Sequence, residues 1–135
     1  VIIDTAPRLD DATLHHVAQL VDLVVIPGSI PEFPTILQTF ETVRRSSATP
    51  AVAVITRTLT ASLNGASAEE VLDVLRAQGL PIAGAIRQNN ALAEAVVLGR
   101  RPDQLTGDAR QRIDDDMRTL MMSLGNILMT SPSRS

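Results

Sequence analysis

The alternation of short apolar runs with segments of helical periodicity is the feature that most constrains the fold of this chain. Four apolar runs are short enough to be buried strands, and they lie at residues 1–3, 23–26, 51–55 and 82–86. Segments with apolar residues at helical spacing separate them, which is typical of βα units. We therefore predict an α/β fold with a mostly parallel sheet and helices on both faces, in three αβα layers.

Capping residues predict where the helices begin. The expected helix starts are Asp10 or Asp11, Pro34, Ser67, Asn89 or Asn90, and Asp108. Ser67 opens a capping box, and Pro34 suits a first helical turn. Residues 58–65 are predicted to be a polar loop. Residues 1–130 are predicted to form one domain, and residues 131–135 a disordered tail.

The last helix carries a long apolar stripe and an acidic run. The stripe is predicted to comprise Ile113, Met117, Leu120, Met121, Leu124 and Leu128, with Met122 and Met129 also mostly filling the core. Residues 114–116 are three consecutive Asp, which we interpret as the solvated face of this helix.

Composition excludes several functions. The chain has two aromatic residues and a net charge of −3, so neither base stacking nor a global basic field would hold nucleic acid. It has no Cys, which excludes disulfides and thiolate zinc sites. No apolar run reaches the 18 residues that a membrane span needs.

The basic residues are all Arg, and there is no Lys. A Walker A loop needs a Lys to reach the β- and γ-phosphates of ATP. A phosphate-binding loop is therefore not expected within these residues, although base-composition bias also accounts for the missing Lys. Because the sequence opens with Val1 inside a predicted strand, we interpret it as a fragment.

Asp4 is the leading catalytic and metal-binding candidate. In parallel α/β sheets, ligands bind beyond the carboxyl ends of the strands, which here nominates residues 4–11, 27–32, 56–59 and 87–90. Asp4 would follow directly on a buried strand, the position from which a Walker B carboxylate holds Mg²⁺. An Asp that caps a helix or stabilises a turn is the alternative.

Three segments together resemble one family of ATPases. Residues 1–7, VIIDTAP, resemble the VIIDTPP signature of the ParA/MinD family. Residues 22–27, DLVVIP, resemble its ADxVLIP strand, and residues 86–99 are similar to its IPRNVRLAEAPSHGKP segment. The three matches occur in the family's order and span nearly the whole chain. The chain therefore resembles the C-terminal part of a deviant-Walker P-loop ATPase, without the Walker A half.

The resemblance implies roles for individual residues. Asp4 would be the Walker B acid, and Thr5 and Pro7 would lie on the switch loop that senses the γ-phosphate. The implied adenine pocket has Thr56 and Arg57 on one side and Arg87, Gln88 and Asn89 on the other. ATP and Mg²⁺ are the implied cofactors of the full-length protein.

The family pattern is not followed everywhere. Arg87, Gln88 and Ala91 replace a Pro and two Arg of the family, and such Arg residues contribute to non-specific DNA binding in partition ATPases. Arg100 and Arg101 could take over that contact. Alternatively, they compensate the dipole at the end of a helix.

The implied function is that of a cytoplasmic ATPase which partitions or positions plasmid DNA, chromosomal DNA or protein cargo. ATP would drive homodimerisation, and a ParB-like protein would stimulate hydrolysis, whereas this fragment alone would be inactive. One alternative is a MinD-like membrane-associated ATPase, disfavoured because no basic amphipathic helix ends the chain. Others are a non-catalytic partner-binding domain and a metabolic relative such as an amide-forming ligase.

Overall fold

A computed structural model describes residues 1–5, 9–58 and 68–131 and shows an α/β fold. Its sheet has three strands, β1 (Val24–Gly28), β2 (Ala51–Thr58) and β3 (Ile82–Arg87), in the order β1-β2-β3. Both neighbouring pairs are parallel. The predicted parallel α/β architecture is therefore confirmed.

Five helices are formed within the described residues. They are α1 (Asp11–Leu20), α2 (Phe33–Ser46), α3 (Ala68–Ala77), α4 (Asn90–Val97) and α5 (Gly107–Thr130), and 3₁₀ turns occupy Ile30–Glu32 and Pro102–Gln104. The carboxylate of Asp10 accepts a hydrogen bond from the Thr13 N–H at 2.8 Å, which confirms Asp10 as the cap of α1. The last helix begins one residue before the predicted Asp108. Ser67, most of the predicted loop at 58–65, and the tail beyond residue 131 lie outside the described residues.

The central strand β2 is buried on both faces. Ala51, Ala53 and Ile55 belong to the core on one face, together with side chains of α1, α2 and α3. Val52 and Val54 belong to the core on the other face, where Leu120 of α5 packs against them. Helices therefore cover both faces, as predicted, and burial of both faces explains why β2 is a continuous apolar run.

Both helices that connect consecutive strands, α2 and α3, lie on the same face of the sheet. The strands advance in one direction from β1 to β3. Crossover connections of one hand in a sheet that grows in one direction place their helices on one face. The opposite face is left for α5, which packs mainly against β3.

The strand predicted at residues 1–3 is not formed. Val1, Ile2 and Ile3 are exposed, at 123%, 96% and 44%, and they pair with no strand in the described part of the chain. β-branched composition identifies a segment that suits a sheet, but a strand is stabilised by its neighbours and by burial. As a result, Asp4 does not follow on a buried strand.

The methionines of α5 were wrongly predicted to fill the core. Met117, Met121, Met122 and Met129 are exposed, at 42%, 60%, 65% and 86%, and Leu128 of the predicted stripe is exposed at 46%. The sheet is covered instead by Leu120, Leu124 and Ile127, whose spacing of i, i+4 and i+7 places them on one side of the helix. The apolar arc of α5 is wider than the part of the helix that contacts the sheet.

Gly28, at the end of β1, is predicted to tolerate no side chain. A Cβ atom there would lie 2.5 Å from Cδ1 and 2.8 Å from Cγ1 of the buried Ile36. We expect Gly28→Ala to lower the free energy of unfolding by about 1–3 kcal/mol, because Ile36 must shift within a packed core. Urea denaturation measures the change.

The matched control is Gly125→Ala on α5, where no atom lies within 4 Å of the new Cβ. Alanine is the better helix former, so this variant is expected to be more stable by about 0.5–1 kcal/mol. Equal effects of the two substitutions would contradict the close approach of Gly28 to Ile36.

Candidate functional site

The carboxyl ends of the three strands lie at one edge of the sheet. Gly28 is paired with Ile55, and Thr58 with Arg87. The Gln88 N–H also donates to the Thr58 carbonyl at 2.9 Å, which continues the contact beyond β3. This edge is where parallel α/β proteins bind ligands, and we call it the carboxyl edge.

The end of β2 carries two unusual features at consecutive residues. Arg57 has a φ of 56°, in the left-handed region that non-glycine residues rarely adopt. Thr58 is 3% exposed, and its hydroxyl finds no hydrogen-bond partner among the described residues. The pairing of β2 with β3 is irregular at the same place, between Ile55 and Thr58. Backbone strain of this kind is concentrated at functional sites, which supports a site here.

Glu32 holds the turn that follows β1. The N–H and the hydroxyl of Ser29 donate to its Oε2 atom, at 2.7 Å and 2.6 Å. These hydrogen bonds lower the pKa of Glu32, the hydroxyl contributing most, and the positive charge of Arg57 lowers it further. An ionised carboxylate after β1 therefore lies within electrostatic range of a guanidinium on β2.

Arg87, the last residue of β3, is bound to Asp116 of α5. Its backbone N–H donates to Asp116 Oδ2 at 2.9 Å, and its Nε and Nη2 atoms lie 2.9 Å and 2.8 Å from Oδ1. The hydrogen bond to Asp116 raises the pKa of the Arg87 guanidinium, and the negative charges of Asp116 and Asp115 raise it further. Partial burial lowers this pKa, but the net shift is upward. The guanidinium that the family resemblance placed at an adenine pocket thus fastens α5 to the carboxyl edge.

Asp116 was wrongly assigned to a solvated helix face, since its side chain is 12% exposed. The signal was present in the sequence. Asp116 follows Ile113 by three residues and precedes Leu120 by four, so it falls on the apolar, sheet-facing side of α5. A carboxylate on such a side requires a partner, and Arg87 provides it.

Asn89 links two helices. Its Oδ1 atom accepts from the Leu92 N–H at 3.1 Å, so that Asn89, of the two predicted candidates Asn89 and Asn90, is the cap of α4. Its Nδ2 atom donates to the Ala109 carbonyl at 2.9 Å, near the start of α5. Gln88 is exposed and donates to Asn90 Oδ1 at 3.2 Å. Both ends of the Asn89 amide therefore have structural partners.

The fold brings some of the predicted site residues together and leaves others apart. Those at the carboxyl edge are Thr56, Arg57, Arg87, Gln88 and Asn89. Asp4 and Thr5 lie on an exposed segment that belongs to no helix or strand, and Pro7 lies outside the described residues. Arg100 and Arg101 are exposed beyond α4, and Arg101 pairs with Asp103 at 2.9 Å.

The described residues do not assemble a magnesium site. Within the described ranges, no three His, Asp or Glu side chains are grouped so that they could hold a metal ion. Mg²⁺ requires near-octahedral oxygen ligation, and Asp4 offers one exposed carboxylate. No catalytic step through Mg²⁺ follows from this geometry.

The fold and the carboxyl edge define the class of this chain. It is a parallel α/β protein in which Arg87, at the carboxyl end of β3, forms an ion pair with Asp116 of α5. Comparison with protein-family models, curated proteins and solved structures gives no match to the chain. Over the described helices, none has the length and apolar character to cross a membrane.

Removing the Asp116 carboxylate is predicted to loosen α5. We expect Asp116→Ala to lower the free energy of unfolding by about 1–3 kcal/mol, because the backbone N–H and the guanidinium of Arg87 both lose their acceptor. The control is Asp115→Ala, at the adjacent exposed position, which should change stability by less than about 0.5 kcal/mol. Urea denaturation measures the free energy of unfolding of both variants. An equal decrease in the two would contradict the anchoring role of Asp116.

The pKa of Glu32 is predicted to depend on Ser29 more than on Arg57. Its ordinary value is 4.5, and the folded value is lower. The unfolded chain therefore binds more protons, so the stabilisation by Glu32 is complete above this value and is lost as the pH falls through the folded pKa. Titration by NMR should show a higher Glu32 pKa in Ser29→Ala and a smaller rise in Arg57→Gln. No rise in Arg57→Gln would contradict the proximity of the two charges.

Proposed function

We propose that this chain is part of a ParA/MinD-like P-loop ATPase that partitions or positions DNA or protein cargo in the cytoplasm. The observation that carries the proposal is the order of the three family-like segments in the sequence. The second of these segments, residues 22–27, contains most of β1, and the third, residues 86–99, starts at the end of β3 and includes α4. A parallel α/β fold is the architecture that the resemblance requires.

The carboxyl edge supports a nucleotide-binding role for its exposed polar groups. Arg57 and Gln88 are exposed there and could contact a base or ribose. Arg87 and Asn89 have structural partners instead, Asp116 and Ala109. In this proposal Arg87 and Asn89 hold the carboxyl edge in place, and Arg57 and Gln88 contact the nucleotide.

The chain by itself should neither hydrolyse nor tightly hold ATP. Phosphoryl transfer depends on charges positioned around the phosphates, and no Lys is present to reach them. Asp4, proposed as the Walker B acid, lies on an exposed segment and would need further protein around it. ATP-dependent dimerisation, Mg²⁺ binding and stimulation by a ParB-like protein are accordingly proposed for a longer polypeptide.

DNA contact is proposed at Arg100 and Arg101 in that longer protein. Arg101 forms an ion pair with Asp103, which leaves exposed Arg100 as the stronger of the two candidates for DNA contact.

The MinD-like alternative gains no support from α5. Residues 119–131 carry no charged side chain, whereas helices that lie on membranes carry a basic face.

A non-catalytic partner-binding domain is the second candidate function, and one observation favours it. Large apolar side chains are exposed on β1 and along α5, at Val25, Met121, Met122 and Met129. Met122 and Met129 are seven residues apart and lie on one side of α5, and an exposed apolar patch is typical of a protein interface. A discrete complex that forms equally well with and without nucleotide would support this candidate over the ATPase.

ATP turnover tests the leading proposal. Residues 1–135 are expected to show none, whereas a longer polypeptide from the same gene that contains a KGGxxKT-like loop should hydrolyse ATP. In the longer polypeptide, Asp4→Asn should lower turnover by at least ~100-fold, the scale expected for an electrostatic group at the reacting centre. The matched control Asp73→Asn, on the exposed side of α3, should leave turnover unchanged. Turnover by residues 1–135 alone, or a parent gene without such a loop, would contradict the proposal.

A further inference from the structure

Gly125 lies inside α5 at a position where no contact within the described chain requires a glycine. A glycine inside a helix is less favourable than an alanine, so its presence calls for a reason. The other glycines in the described ranges have either a positive φ or a side chain within 4 Å of where a Cβ would lie, and they are Gly79, Gly99, Gly107, Gly28 and Gly84. At Gly125, φ is not positive and a Cβ would have no atom within 4 Å. The space above Gly125 is open to a side chain of another molecule.

This open space lies on the side of α5 that is turned away from the sheet. The side chains of α5 that cover the sheet belong to Leu120, Leu124 and Ile127. At 100° per residue, the opposite side carries Arg118, Met122, Gly125 and Met129. We call these four residues the outer stripe. Met122 is 65% exposed and Met129 is 86% exposed, so two large protruding side chains flank the space above Gly125.

The C-terminal half of α5 is uncharged on every side. Residues 119–131 contain no Asp, Glu, Lys, Arg or His, and they extend for about three and a half helical turns. A helix that has one side in solvent normally carries charged residues on that side, and a helix without them is typically buried. The outer side of this segment therefore has the composition of a covered surface.

We propose that the outer stripe packs against the outer stripe of a second copy of the chain, with the two α5 helices antiparallel. The stripe residues are spaced by four, three and four positions, so a two-fold axis maps the stripe onto itself. Met122 of each copy then enters the space above Gly125 of the other copy. Met129 packs against the aliphatic part of the Arg118 side chain. This inference supplies a partner for the second candidate function and does not depend on the proposed ATPase function.

Charge favours the antiparallel arrangement over a parallel one. In a parallel pair, Asp115 and Arg118 would each lie beside the same residue of the other copy, and like charges would repel. In the antiparallel pair, the two Asp115 residues are about 25 Å apart along the helix axis, at 1.5 Å per residue. That separation exceeds the Debye length of about 8 Å at physiological ionic strength. The acidic run of each copy therefore lies beyond the end of the other helix.

Charge also favours a second copy over a lipid surface. Anionic lipids attract a helix with a basic face. The outer side of α5 offers Arg118 alone, and exposed Asp115 lies three residues before it. A second copy, in contrast, brings to the outer stripe an equally uncharged surface with its own protruding Met122 and its own open space.

Sedimentation equilibrium of residues 1–135 tests the proposal. Two single helices form an interface below the standard size, which is typical of weak complexes. We therefore expect a reversible dimer that forms between about 10 μM and 1 mM protein. A chain that stays monomeric over this range, or that forms larger oligomers, would overturn the proposal. The dissociation constant should be the same with and without ATP and Mg²⁺. A dimer that requires ATP would overturn this proposal and support the ATPase.

Two variants separate stripe pairing from non-specific apolar association. Gly125→Leu adds apolar surface, which would strengthen non-specific association. We expect it instead to raise the dissociation constant by about tenfold or more, because leucine fills the space that Met122 enters. Met122→Lys should also raise it by about tenfold or more, since a charge would be buried without a partner.

The matched control is Val97→Lys on α4, where the side chain is 85% exposed. It should dimerise as the unchanged chain does. The urea midpoints of the three variants verify that they fold, and either stripe variant alone decides. A dissociation constant that Gly125→Leu or Met122→Lys leaves unchanged, or that Val97→Lys raises equally, would overturn the proposal.

Disulfide trapping tests the antiparallel orientation, because the chain has no Cys of its own. The probes are Arg118→Cys and Met129→Cys, whose positions lie opposite each other in the antiparallel pair. The two copies of either position are about 16 Å apart along the axis, too far for a disulfide, which needs Cα atoms within about 7 Å. Mild oxidation should therefore link the two variants when they are mixed and neither variant alone. Linkage of each variant alone, without linkage in the mixture, would assign a parallel pair and overturn the proposal.

Discussion

The burial of β2 on both faces is the constraint on which the rest of this structure depends. Its alternating side chains separate two cores, one beneath α1, α2 and α3 and one beneath α5. Burying apolar surface contributes about 25 cal/mol per Å², and a strand enclosed on both faces and paired on both sides buries the most per residue. The carboxyl ends of all three strands are positioned by their pairing with β2.

The carboxyl edge combines rigid anchors with residues in unfavourable states. Arg87 and Asn89 fasten β3, α4 and α5 to one another through Asp116 and Ala109. Beside them, Arg57 has a left-handed backbone, and the buried hydroxyl of Thr58 has no hydrogen-bond partner among the described residues. A rigid frame around a strained strand end is the arrangement expected where a ligand binds. The resemblance to ParA/MinD ATPases gives this edge its proposed ligand, a nucleotide.

The errors of sequence-based prediction share one physical cause. Residues 1–3 have strand-like composition, but no partner strand is bonded to them. Met117 and Met121 are four residues apart in an apolar region, which is helical spacing, but the sheet contacts a narrower side of α5. Asp116 belongs to a run of three Asp, but Arg87, 29 residues away in the sequence, binds its carboxylate. In each case the local pattern was visible, and the partner lay elsewhere in the chain.

The sequence by itself determined the α/β class and the position of three of the four predicted strands. It also narrowed the caps of α1 and α4 to two neighbouring residues each, Asp10 or Asp11 and Asn89 or Asn90, because local periodicity and short-range hydrogen bonds encode these features. The tertiary structure alone decided that Val1–Ile3 pairs with nothing in the described chain, that Arg87 is held by Asp116, and that Arg57 is strained. Those outcomes depend on contacts between residues that are far apart in the sequence. Sequence spacing does not specify such contacts, because they follow from the packing of whole helices and strands.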